Sequence, residues 1–124
     1  MRLIHFAALA AVAVSGPALA APGDVNAQAF YAKALAMKKK GPMALFSGEL
    51  KPMKAQLMDA GTRVRAENQA AKQRGAPLYC PPAQVKADVN FVLDGLAGIP
   101  QSRRQQSTLT QAWREILIAR FPCR

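Results

Sequence analysis

Apolar residues return along this chain at spacings of three and four, and no stretch alternates apolar with polar for long enough to make a convincing strand. Four helical segments are predicted from that pattern. The first starts near Asp24, a good N-cap, carries Phe30, Tyr31, Ala34 and Leu35, and ends at Gly41-Pro42. Lys38, Lys39 and Lys40 fall in its last turn, where cations suit the helix dipole, and they read as a solvated helix end. The run "MALFSGEL" is too short to stand as a helix and is expected to pack as a turn. Residues 49–74 form the longest periodic segment, with Leu50, Met53, Leu57, Gly61, Val64 and Ala71 close to one stripe. Pro52 fits only in its first turn, and Gly61 in mid-helix points to a close approach by another helix. Met37, Met43, Met53 and Met58 recur at helical spacing and are expected to fill the core.

After Gly75-Ala-Pro77, the two prolines of "YCPP" set an extended entry to a third helix expected near Ala83. Val85, Val89, Val92, Leu93 and Leu96 give it an apolar face. "GIPQSRRQQS" follows as a polar loop. The last helix opens at Ser107 or Thr108, where Thr108 and Gln111 spell a capping box, and its apolar face is Leu109, Ala112, Trp113, Ile116 and Leu117. The expected class is all-α: a small bundle of about four helices.

The first residues change the picture. One cation at Arg2, an apolar run over residues 3–14 and small residues at Ala18 and Ala20 are laid out as a secretory signal peptide, with cleavage expected after Ala20. The apolar run is too short to span a bilayer. Residues 1–20 are therefore assigned to the signal and residues 21–124 to a single exported helical domain. The mature chain is therefore expected outside the cytoplasm.

Charge and cysteine content gain meaning from that compartment. The whole chain has 17 Lys and Arg against 7 Asp and Glu, a net +10, and loss of Arg2 leaves +9. Cys80 and Cys123 are its two cysteines, and an even count in an exported chain reads as a pair. Such a bond would clamp the hairpin of the third and fourth helices. Two free thiols, or one joined to another chain, is the alternative.

Chemistry is sparse. The single histidine, His5, lies in the signal segment, so the mature chain has no imidazole for acid–base work or a catalytic triad. Asp88 and Asp94 are too far apart on one helix to act as paired carboxylates, and Glu115 lies among basic neighbours. No cluster has metal-ligand spacing and no glycine-rich phosphate loop is present, so neither enzyme, metal nor cofactor is expected. Binding fits better. The positive excess attracts anionic partners. Nucleic acid is not expected among them, given few aromatics for base stacking and an exported chain.

Tyr79, Cys80 and Pro82, then Ile99-Pro100, then Phe121, Pro122 and Cys123, give the segment 75–124 a pattern that resembles the Rap/Tai-type immunity proteins. That resemblance implies an all-helical periplasmic protein, often dimeric, that binds a cell-wall amidase delivered by type VI secretion and blocks its active-site cleft. The surface expected to carry binding is Pro100, Gln101, Ser102, Arg103, Arg104 and Gln105, a polar stretch between two packed helices. A second reading is a structural, envelope-associated protein held by charge to anionic lipid or cell-wall polymer.

Overall fold

The computed structural model describes residues 20–124; the predicted signal segment lies outside them except for Ala20. Among the described residues the chain forms five α-helices: α1 (Ala27–Lys40), α2 (Leu50–Gln73), α3 (Val89–Ala97), α4 (Gln101–Gln106) and α5 (Leu109–Arg120). Short 3-10 turns cover Pro22–Asp24 and Gly41–Phe46. The class is all-helical, as the periodicity predicts, with one helix more than expected.

Local chemistry sets the helix starts. Asn26, not Asp24, caps α1, its Oδ1 accepting from the Ala29 N–H at 3.1 Å. Asp24 turns instead to the Ala21 N–H at 2.9 Å and to Arg63 at 2.7 Å. Thr108 and Gln111 form the predicted capping box on α5. Gly41 (φ 59°) follows α1 and Gly75 (φ 78°) follows α2, left-handed positions where a Cβ would be strained.

α2 and α5 pack together along the middle of the molecule, and the Pro22–Asp24 turn wedges against both. Gly23 fits there only because it lacks a side chain: a Cβ would lie 2.6 Å from Thr110 Oγ1 and 2.8 Å from Asp59 Oδ2. The core joins Phe30 and Met37 of α1, Met53, Ala60 and Val64 of α2, and Val92 and Leu96 of α3 to the whole predicted face of α5. Burying each of these larger side chains is worth about 1.5–3 kcal/mol. Near the N-termini of α1 and α5 two segments of the chain run side by side, with Ala27 N–H donating to Ser107 O and Leu109 N–H to Val25 O.

Four sequence expectations are corrected. The third helix starts at Val89 rather than near Ala83, because Asp88 caps it through the Phe91 N–H at 2.9 Å, and residues 81–87, which open on two prolines, form no helical turn. Val85 and Val89 therefore stay exposed. The stretch after Pro100 is a helix, not a loop. Of the four methionines, Met37 and Met53 are buried while Met43 and Met58 are exposed. "MALF" forms the expected turn but packs only in part: Ala44 rests against the core, whereas Leu45 and Phe46 are 73% and 85% exposed.

Cys80 and Cys123 are bonded, with their Cα atoms 4.9 Å apart. The bond ties the irregular segment after α2, nine positions ahead of the start of α3, to the chain leaving α5. Cys80 N–H donates to Phe121 O beside it at 2.8 Å.

Candidate binding groove

The six residues expected to bind a partner do not share one environment. Arg104 is 8% exposed and points inward. Its guanidinium donates to Gln28 Oε1 at 2.7 Å, to Leu96 O at 2.9 Å and to Ile99 O, and lies 4.4 Å from the centre of the Tyr31 ring. Two donors thus close the C-terminal end of α3 while the ring stacks below the cation. Pro100, Gln101, Ser102, Arg103 and Gln105 are exposed, but Arg103 is ion-paired with Glu115. Both arginines of α4 already have intramolecular partners.

A second feature, which sequence reasoning missed, lies between α2 and the strap that follows it. α2 is continuous to Gln73, and the chain then doubles back along it. Asn68 fixes the return. Its Oδ1 accepts from the Leu78 N–H at 2.8 Å and the Tyr79 N–H at 3.2 Å, and its Nδ2 donates to Tyr79 O at 3.0 Å. The disulfide anchors the next residue. From there the strap runs without regular secondary structure through residues 81–87, bending at Ala83, and none of the described backbone hydrogen bonds comes from that stretch.

Between this strap and α2 opens a groove of about 720 Å³. Leu57, Tyr79, Trp113 and Leu117 line it from within, and Met58 and Val85 stand exposed at its edges. A second, apolar hollow of about 360 Å³ adjoins it through Leu57 and Ala87, which line both. Gly61 faces Trp113 across the groove, yet a Cβ there would sit 3.8 Å from Trp113 Nε1, an ordinary contact. The tight approach that glycine permits is at Gly95, where a Cβ would meet Ile116 Cγ2 at 2.7 Å. Behind Trp113, Phe91 packs edge-on at 5.8 Å and stacks on Phe121 at 6.2 Å, with Arg120 5.1 Å over the Phe91 ring.

The electrostatics of the groove are one-sided. Arg65 and Lys72 are the charged side chains lining it, and both are exposed. The acids of α2 are engaged elsewhere: Asp59 with Arg63, and Glu67 with Arg114 at 2.6 Å. The Arg114 hydrogen bond holds the Glu67 carboxyl below its ordinary value, against the opposing push of burial. Burial raises the Tyr79 hydroxyl, and the positive charge of Arg65 pulls it the other way. Lys51, Lys54, Met58, Arg65 and Lys72 recur at steps of three, four and seven, so they run down one side of α2.

Among the described residues no group of three or more His, Cys, Asp or Glu side chains is placed to hold a metal, and no helix is long and apolar enough to cross a membrane. Fold and site together define a disulfide-clamped helical protein with a basic-rimmed apolar groove. No family model, curated protein or solved structure matches the chain.

Proposed function

We propose that the chain is an exported immunity-type binding protein, which, after cleavage following Ala20, seats on a type VI secreted cell-wall amidase in the periplasm and blocks its cleft. One observation carries this reading. Of the residues behind the resemblance, those around the two cysteines gather in one place, while Pro82 lies in the strap and Ile99-Pro100 at the α3–α4 junction: Cys80 is bonded to Cys123, and Cys80 N–H is held by Phe121 O next to Pro122. Tyr79, the remaining member of that cluster, is buried beside them and forms part of the groove wall. These residues thus serve as a scaffold that presents a surface, which is what an inhibitor of another protein requires.

The test is capture. The oxidised mature protein, immobilised and incubated with periplasmic and secreted fractions of its own organism, is washed in high salt and the retained proteins are identified by mass spectrometry. Recovery of a cell-wall amidase is expected. Recovery of no peptidoglycan hydrolase would reject the reading.

A charge-held envelope protein is favoured by a different observation. Lys39, Lys40, Lys51 and Lys54 are exposed and none makes an ion pair among the described residues. Adsorption of this kind weakens steeply with ionic strength, whereas a shape-matched protein interface loses mainly association rate. Binding to phosphatidylglycerol vesicles that vanishes above physiological salt, with no protein captured, would select the envelope reading.

A further inference from the structure

We propose that the groove between α2 and the residue 77–87 strap docks an acidic, extended segment of the partner protein that carries apolar side chains. This deepens the binding reading above by naming the surface and the chemistry it takes, and it moves that surface away from α4.

Three features select the occupant. The apolar lining, with Met58 and Val85 at its edges, offers side-chain pockets to a segment with apolar residues. The charges at the rim, Arg65 and Lys72, are both cations, and Lys51 and Lys54 extend the same stripe along α2. A partner segment with alternating acidic and apolar residues presents one set to the rim and the other to the floor. The strap is irregular and solvent-exposed along residues 81–87 and makes none of the described backbone hydrogen bonds there. Pro81 and Pro82 have no N–H, so its carbonyls and the N–H groups of residues 83–87 are the ones open to a chain laid beside it.

Other occupants fit less well. A second copy of this chain brings the same positive excess, so rim would face like charge. Nucleic acid or an anionic lipid surface satisfies the cations and leaves the apolar lining unused.

The experiment needs no amidase. A fluorescein-labelled peptide of about twelve residues alternating Glu and Val is titrated into the oxidised mature protein at physiological salt, by polarisation and by the emission of Trp113, the chain's one tryptophan and part of the groove. Binding with a shift in Trp113 emission is expected. Matched peptides alternating Lys with Val, or Glu with Gly, should bind about tenfold more weakly or worse. The double reversal R65E/K72E should weaken the Glu-Val peptide about tenfold or more, while K39E/K40E, which changes net charge equally away from the groove, should leave it within about twofold. Both pairs are exposed; thermal melting checks the fold, and R65Q/K72Q replaces the reversal if it fails to fold.

Equal binding of the three peptides, indifference to R65E/K72E, or equal losses from both reversals would overturn the proposal. So would binding confined to a single-stranded oligonucleotide or to phosphatidylglycerol vesicles. A failed peptide test leaves amidase capture to stand by its own result, and captured amidase indifferent to R65E/K72E removes the groove alone.

Discussion

Asn68 holds Tyr79 through both ends of its amide, donating to the Tyr79 carbonyl at 3.0 Å while accepting from the Tyr79 and Leu78 N–H groups. One side chain thus performs for the strap what a neighbouring strand would. The Asn68→Ala variant should lose about 2 kcal/mol, from three net hydrogen bonds of roughly 1 kcal/mol each less what water recovers. Denaturant midpoints check the loss, and faster proteolysis within residues 77–87 should accompany it.

The Cys80–Cys123 bond closes a loop spanning 43 positions, for which the chain-entropy relation gives about 4 kcal/mol. Reduction should therefore lower the melting temperature by roughly 15–25 °C in a domain of this size. Alkylation of the unreduced protein should label no thiol.

Arg103 and Arg104 should behave as opposites. Arg104→Ala removes a buried cation whose donors close the end of α3, at a cost of about 3 kcal/mol. Arg103→Ala breaks an exposed ion pair with Glu115 and should cost less than about 1 kcal/mol. Charge reversal at Arg104 consequently reports on folding rather than docking. Urea unfolding of the two single variants separates them.

Two glycines in helices should respond to alanine with opposite signs. At Gly61 a Cβ finds ordinary contact, so Gly61→Ala should stabilise by about 0.5–1 kcal/mol through helix propensity. At Gly95 the new Cβ would press on Ile116, so Gly95→Ala should destabilise by about 1–3 kcal/mol. Thermal melts of both variants decide it.

Acid should weaken the fold through Asp24 and Glu67. Asp24 is held low by the Arg63 hydrogen bond first and the Ala21 N–H next, and Glu67 by Arg114. Each carboxyl binds its proton less readily folded than unfolded. Their contribution is therefore complete above the unfolded carboxylate range, about pH 4–4.5, and is lost as pH falls through the lower folded values. Stability from these groups should be flat between pH 5 and pH 7 and fall below about pH 4. In Glu67→Gln the acid-side decline should be shallower, as denaturation followed against pH would show.

The helices legible from periodicity were those whose apolar residues do the packing. Every predicted face residue of α5, from Leu109 to Leu117, is buried, and its capping box forms as spelled. The paired cysteines were legible from their even count in a chain read as exported, and the Cys80–Cys123 bond is formed. α4 was not legible because its inward residue is an arginine: "QSRRQQ" shows no apolar repeat, and only the carbonyls of Leu96 and Ile99 and the ring of Tyr31 give Arg104 a reason to turn in. The start of α3 was misplaced because Val85 matches the helical spacing while lying in an irregular strap, and Asp88 decides the boundary. The groove was hidden for a similar reason. It depends on Asn68 meeting residues ten and eleven positions later, a contact that neither residue type nor spacing announces.

The most direct test of the proposed function is inhibition, by the oxidised protein of residues 21–124, of an amidase recovered by the capture experiment, measured as peptidoglycan hydrolysis against added protein at physiological and high salt. Hydrolysis should stop at a fixed stoichiometry under both conditions. Hydrolysis that continues at its full rate under saturating protein would contradict it.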